Sequence, residues 1–121
     1  MEGELQRRSM EHLLYKYGVD IVVSGHVHSV ERSAAVYDNE LNECGSVYFN
    51  LGDGGNYEGT YTDWNTLNAP YQWSVFKEGS FGVAELIIYN DTHAYYSWHR
   101  HACWNASLEY PNPEGNAHFR V

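Results

Sequence analysis

The first hydrophobic pattern along the chain predicts an α-helix that ends at a glycine. Met10, Leu13, Leu14 and Tyr17 recur at helical spacing and form one apolar stripe, with the charged residues of this segment elsewhere. Gly18 follows the stripe directly, at a position where a left-handed residue commonly ends a helix. The pattern therefore predicts an amphipathic helix that stops at Gly18.

A short run of mostly β-branched residues follows, from Val19 to Val23. Its nearly continuous apolar character predicts a strand that is buried on both faces of a sheet. A helix, a glycine and a buried strand form the end of a crossover connection, which implies parallel neighbours. Because no candidate partner precedes this run, we expect the strand to lack part of its sheet.

The rest of the chain has the pattern of short strands joined by turns. Alternation and turn residues predict two single strands and one hairpin, whose turn is at Asn90-Asp91. Residues 54–75 are predicted to form a long aromatic loop, and the segment from Asn105 onward an irregular tail. The predicted strands are Val30–Tyr37, Val47–Leu51, Phe81–Tyr89 and Thr92–Arg100.

Composition places the chain among globular proteins of one domain's size. It has 121 residues, of which 43% are hydrophobic and 16% aromatic, too apolar for a disordered chain. The formal net charge of −9 argues against a nucleic-acid partner, because binding to the phosphate backbone needs clustered basic residues. An acidic surface also disfavours anionic membranes, and no apolar run is long enough to span a bilayer.

The strongest chemical motif is a pair of histidines, His26 and His28, in Ser24-Gly25-His26-Val27-His28. Ligands gather outside the carboxyl ends of strands in α/β sheets, and neutral imidazole is a common ligand for iron, zinc and manganese. In a regular strand the two side chains would point to opposite faces, so chelation requires an irregular backbone after Ser24. The spacing suits a two-metal hydrolase in which each ion takes one histidine.

Four blocks, in order, resemble the purple acid phosphatases, a family within the calcineurin-like metallophosphoesterases. The first combines Met1-Glu2-Gly3-Glu4 with residues 19–28 and 31–33, and the second contains Cys44-Gly45-Ser46-Val47-Tyr48 and residues 52–59. The other two are residues 76–82 and 92–100. The resemblance covers nearly the whole chain and weakens only after Cys103.

The resemblance implies an α/β fold and an acid phosphatase that hydrolyses phosphate monoesters. Residues 1–121 would be the C-terminal portion of a four-layer α/β/β/α sandwich, with one N-terminal helix followed mainly by β-strands. The family's dinuclear centre holds Fe(III) beside a divalent Zn, Mn or Fe ion. By the same resemblance His26 would bind the divalent ion, His28 would bind Fe(III), and Glu2 matches a glutamate near the substrate.

The departures from the family pattern bear on activity. The family's remaining metal ligands come from upstream motifs that have no counterpart in this sequence, so the isolated chain is expected to be inactive. Its expected partner is the N-terminal part of the catalytic domain, and the oligomeric state stays open. Two alternatives also stay open: a non-catalytic remnant or binding module, and a cupin-like protein with one metal ion.

Other residues suggest an exported glycoprotein. Asn90 and Asn105 begin tripeptides of the N-glycosylation pattern, although residues 1–5 do not have the pattern of a signal peptide. We expect Cys44 and Cys103 to lie close enough to form a disulfide. The expected location is secreted or vacuolar/lysosomal, with buried thiols and unused sequons as the alternative.

Four further polar residues are interpreted as structural. Asp53 and Glu58 lie in a glycine-rich block, which favours turn formation over metal binding. His99 and His101 form a second pair with one intervening residue, at the end of the last predicted strand. We interpret these two histidines as surface or packing residues.

Overall fold

The computed structural model describes residues 4–62, 71–101 and the backbone of 117–120. Within these residues one helix is followed almost entirely by strands, as the sequence predicts. The elements are α1 (Glu4–Lys16), β1 (Ile21–Ser24), β2 (Val30–Ser33), β3 (Val36–Tyr37), β4 (Glu40–Leu41), β5 (Val47–Leu51), β6 (Ser74–Glu78), β7 (Gly82–Asn90), β8 (His93–Arg100) and β9 (Ala117–Arg120).

Helix α1 ends as its sequence predicts, at Gly18. Gly18 has a φ of 62°, and its amide donates a hydrogen bond to the carbonyl of Tyr15. The next amide, that of Val19, donates to the carbonyl of Leu14. These two bonds form a Schellman motif, which satisfies carbonyls that the last turn would otherwise leave unpaired.

The apolar stripe of α1 is largely exposed, which differs from the usual burial of such a stripe. Met10 and Leu13 are both 46% exposed, whereas Glu11 is buried. Glu11 accepts a hydrogen bond from the amide of Asp38, and Tyr15 stacks on Tyr37 at 4.0 Å between ring centroids. Polar and aromatic contacts to β3 and the turn after it therefore hold the helix, and of the stripe residues only Leu14 is half-buried among the described residues.

The first sheet has the strand order β1-β5-β2-β6 and mixes parallel with antiparallel pairing. Strand β1 runs parallel to β5, from Ile21 opposite Val47 to Ser24 opposite Asn50. The predicted parallel neighbour thus exists, but it follows β1 in the chain instead of preceding it. The predicted burial on both faces is wrong, because β1 is an edge strand of the described sheet and Val23 is 58% exposed.

The predicted strand from Val30 to Tyr37 is two strands. Strand β2 pairs with both β5 and β6, whereas β3 pairs with β4 in a separate two-stranded hairpin. Asp38 and Asn39 have φ angles of 51° and 64°, so both central residues of the connecting turn are left-handed. This is the arrangement of a type I′ turn, in which Asn and Asp are favoured residues.

The last predicted hairpin forms the second sheet, of order β7-β8-β9. Its turn lies one residue later than predicted, at Asp91-Thr92, where Asn90 Oδ1 accepts a hydrogen bond from the amide of Thr92. Three strands were not predicted, of which β4 is the short second arm of the hairpin described above. Strand β6 begins inside the expected loop, and β9 lies in the expected irregular tail.

The hydrophobic core lies between these two sheets. Its buried members are Val30, Phe49, Phe76, Tyr96 and Trp98, the first three from the first sheet and the last two from β8. The rings of Phe49 and Tyr96 lie 4.5 Å apart between centroids, within the range of favourable aromatic pairs. At the rim, the guanidinium of Arg100 on β8 pairs with the carboxylate of Glu78 on β6.

Replacing Phe49 by alanine is expected to lower the free energy of unfolding by about 3–5 kcal/mol. The side chain is 1% exposed, so the substitution removes buried apolar surface and leaves a cavity between the sheets. Urea unfolding followed by tryptophan fluorescence measures the change. Tyr57→Ala is the matched control, since Tyr57 is 96% exposed, and an equal loss in both variants would contradict this account of the core.

Candidate metal centre

The two histidines lie on the short connection between β1 and β2. His26 has a φ of 78°, a left-handed conformation that residues other than glycine rarely adopt. The chain therefore leaves the extended conformation immediately after β1, as chelation by residues one apart requires. Such strain is maintained only where the surrounding structure enforces it, and it concentrates at functional sites.

His28 lies at the centre of a tight turn whose backbone is held by hydrogen bonds. The amide of Ser29 donates a hydrogen bond of 2.7 Å to the carbonyl of Val27, across His28. The carbonyl of His28 itself accepts a bond of 2.6 Å from the amide of Tyr61. His26 is exposed and the side chain of His28 is 30% exposed, so both imidazoles are accessible from solvent.

The end of β5 supports this turn from the side. Because β1 and β5 are parallel, their carboxyl ends meet at one edge of the sheet, and Ser24 lies opposite Asn50. The side chain of Asn50 donates to the carbonyls of Val27 and Ser29, on either side of His28. A Cβ atom added at Gly52 would lie 1.9 Å from the carbonyl oxygen of Val27, so only glycine fits there.

Two acidic residues that the sequence pattern assigned to a turn lie near His28. Glu58 Oε2 is 3.5 Å from His28 Nδ1. Asp53 is completely buried, and neither carboxylate oxygen has a hydrogen-bond partner. Burial raises the pKa of Asp53 to about 6, although attraction to His28 acts in the opposite direction. One sequence signal could have pointed to Asp53, namely its place just after a predicted strand. Only the structure shows that this strand ends beside the histidine strand.

The arrangement provides two imidazoles with carboxylates nearby, the kinds of donor that iron, zinc and manganese accept. Among the residues that the structure describes, no three His, Cys, Asp or Glu side chains are grouped so as to hold a metal ion. The two histidines therefore suit part of a metal centre and do not form a complete ligand set.

The other predicted site residues are only partly within the described structure. Glu2, Cys103 and Asn105 lie outside the described residues, so their roles stay predictions. Cys44 is exposed and its thiol is free, and its pairing with Cys103 also stays a prediction. Asn90 is exposed at the hairpin turn, where an attached glycan would face solvent, but use of this sequon stays a prediction.

The second histidine pair lies at the end of β8, on the second sheet. The Nε2 atom of His99 lies 2.9 Å from Ser97 Oγ and 3.9 Å from a carboxylate oxygen of Glu85. His99 and His101 are both exposed. This placement agrees with their interpretation as surface residues. No described helix is long and apolar enough to cross a bilayer.

The fold resembles a known structure. A solved purple acid phosphatase from yellow lupin (Lupinus luteus) seeds superposes with a TM-score of 0.65 and 27% sequence identity. The match covers 75% of this chain and 17% of the lupin chain. The described helix and strands therefore have the fold of the C-terminal part of a purple acid phosphatase.

Sequence comparison gives the family. Residues 45–108 match the profile described as "Iron/zinc purple acid phosphatase-like protein C". Two Arabidopsis thaliana proteins are similar: "Probable purple acid phosphatase 20", 48% identical over 82% of this chain and 23% of its own length, and "Fe(3+)-Zn(2+) purple acid phosphatase 12", 42% identical over 88% and 24%. The chain thus belongs to the purple acid phosphatase family and spans about a quarter of the length of these relatives.

Replacing Asp53 by asparagine is expected to stabilise the chain above pH 6 and to change its stability little at pH 4. The folded carboxyl group keeps its proton up to about pH 6, whereas the unfolded one loses it near its ordinary pKa of 3.8. The folded state therefore binds more protons between these values, so the wild-type free energy of unfolding falls as the pH rises through this window.

The shift of about two units limits the gain from Asp53→Asn to roughly 3 kcal/mol at pH 7.5. Urea unfolding of the metal-free chain at pH 4 and pH 7.5 measures the change. Asp91→Asn is the matched control because Asp91 is exposed at the hairpin turn. A gain from Asp53→Asn that is the same at both pH values would contradict burial as the cause.

Proposed function

We propose that this chain supplies His26 and His28 to the dinuclear centre of an acid phosphatase that hydrolyses phosphate monoesters. The observation that carries the proposal is the left-handed backbone at His26, directly after a parallel strand. An extended strand would constrain the directions of the two imidazoles, and the left-handed residue removes this constraint. Family membership supports a centre of Fe(III) beside a divalent ion. The resemblance of the histidine motif to the family pattern assigns His28 to the former and His26 to the latter.

The donor set fits this role in kind. Imidazole nitrogen binds iron, zinc and manganese, and both histidines are accessible. Metal-bound histidines usually donate their second ring N–H to a carboxylate, and Glu58 lies 3.5 Å from Nδ1 of His28. With Nδ1 facing a carboxylate, the other ring nitrogen of His28 is left to face an ion.

The negative charge near the turn also favours metal binding. The buried carboxyl group of Asp53 and the exposed one of Glu58 add negative potential beside His28, which favours a cation over an anion at this edge. When bound, the two ions would neutralise the phosphate oxygens and activate water for hydrolysis. The contribution of this chain is to hold two ligands and one supporting carboxylate in place.

The remaining ligands have no counterpart in this chain, so we propose that the 121 residues alone lack useful phosphatase activity. Two imidazoles are too few for two ions, because each ion needs several ligands and their mutual repulsion must be offset by a bridging carboxylate. A non-catalytic role of this chain is the second candidate, favoured by the incomplete ligand set. Family membership removes the cupin-like alternative.

We also propose an exported protein, secreted or vacuolar/lysosomal. The exposed position of Asn90 at the hairpin turn supports this location, because a glycan there would not disturb the core.

The purified chain, loaded with iron and zinc, is expected to show neither purple colour nor turnover of a phosphate monoester. Colour in this family comes from a ligating tyrosinate on Fe(III), and the matching tyrosine belongs to a motif that this sequence does not contain. Weak, labile zinc binding is expected, and His26→Ala with His28→Ala should abolish it. Visible absorbance, phosphate release and zinc titration followed by NMR measure the three properties.

His99→Ala with His101→Ala is the matched control, since this pair has the same spacing and lies on the surface. It is expected to leave zinc binding unchanged. Turnover at about 1 per second or faster that the first double substitution abolishes would show that the other ligands are not needed. Zinc binding that survives the loss of His26 and His28 would contradict their proposed role.

A further inference from the structure

The side chain of Asn50 is placed to control the shape of the histidine turn. Its Nδ2 atom lies 2.9 Å from the carbonyl oxygen of Val27 and 2.7 Å from that of Ser29. These two carbonyls flank His28 in the chain. A primary amide has two N–H donors, so one goes to each carbonyl, and the contact of 3.2 Å to Ser29 Oγ shares one of them.

Backbone contacts complete the enclosure of the turn. The amide of Gly52 donates to the carbonyl of Ser29 at 3.3 Å, and the amide of Tyr61 donates to that of His28 at 2.6 Å. Ser29 is completely buried, so its groups have no water to replace a lost partner. Asn50 adds a side-chain clamp across His28 to these backbone bonds.

The turn needs such a clamp because its backbone is strained. His26 is left-handed, and the amide of Ser29 reaches back to the carbonyl of Val27 across one residue. Strained conformations persist only when neighbours over-determine them. Without the amide of Asn50, the carbonyl of Val27 would keep only its bond from the Ser29 amide, and the carbonyl of Ser29 only its long bond from the Gly52 amide. The Val27–His28 and Ser29–Val30 peptide units would then be held less firmly.

We infer that Asn50 is a positioning residue that presets the histidine turn for metal binding. The inference rests on the proposed function, because it assumes that His26 and His28 bind an ion. Asn50 touches no reacting group itself. It acts by holding the carbonyl groups of Val27 and Ser29, the residues on either side of His28, so that the imidazole does not have to be ordered when the ion arrives.

The test uses Asn50→Asp and Asn50→Ala in the whole chain, with zinc as the probe. Asp is the same size but presents oxygens where the two carbonyls need donors, so the turn should open. An added negative charge near His28 would by itself strengthen cation binding. Positioning therefore predicts weaker zinc binding for Asn50→Asp, whereas electrostatics alone predicts stronger binding.

The expected loss of zinc affinity is about tenfold or more for both variants, the range found for groups that orient metal ligands. NMR titration of the histidine ring protons measures affinity, and urea unfolding measures stability separately. Asn42→Ala is the matched control. Asn42 Oδ1 accepts a hydrogen bond from the amide of Cys44, so its loss should lower stability and leave zinc affinity unchanged.

Amide hydrogen exchange provides a second readout that needs no metal. The amides of Ser29 and Tyr61, both bonded within the turn region, should exchange faster in the Asn50 variants. The amide of Gly82, bonded to the carbonyl of Asp53, should exchange at the wild-type rate if the fold is intact. This comparison separates a local opening of the turn from general unfolding.

The possible results distinguish a failure of the proposed function from a failure of the positioning role of Asn50. Wild-type zinc binding that does not depend on His26 and His28 would overturn the proposed function and this inference with it. Binding that depends on them, but is equally tight in the Asn50 variants, would overturn the positioning role alone. Unchanged exchange at Ser29 and Tyr61 would do the same.

Discussion

The packing of Phe49 against Tyr96 is the contact on which the rest of the structure depends. It joins the first sheet to the second, and Val30, Phe76 and Trp98 complete the same core. Because side chains alternate along a strand, burying Phe49 fixes the register of β5 and turns Asn50 away from the core. The core thereby fixes the position and orientation of β5, the strand that supports the histidine turn.

That support allows a strained turn to exist at the edge of the sheet. Strand β5 ends beside β1, and three of its features engage the turn: the Asn50 amide, the Gly52 amide and the missing side chain of Gly52. The left-handed backbone at His26 is unfavourable alone, and these contacts fix the residues that directly follow it. The backbone conformation at the candidate metal centre thus depends more on the neighbouring strand β5 than on the histidine segment itself.

One buried and unsatisfied acidic group, the carboxyl group of Asp53, lies near this edge. The side-chain carboxyl group of Asp53 is buried without a hydrogen-bond partner, a state that costs stability at neutral pH and that natural folds usually avoid. Under the proposed function, a cation bound beside His28 would stabilise the ionised carboxyl group of Asp53. The exposed stripe of α1 and the exposed edge of β1 agree with a chain that spans about a quarter of its relatives.

The sequence by itself determined the elements whose signals are local. Helical spacing and Gly18 predicted α1 and its end, alternation predicted the hairpin of β7 and β8, and the histidine spacing predicted an irregular backbone after Ser24. Only the tertiary structure decided which residues meet. The parallel pairing of β1 with the later β5, and the approach of Asp53 and Glu58 to His28, depend on contacts between distant segments that no local pattern records. Strands β6 and β9 were missed because pairing with neighbours defines them.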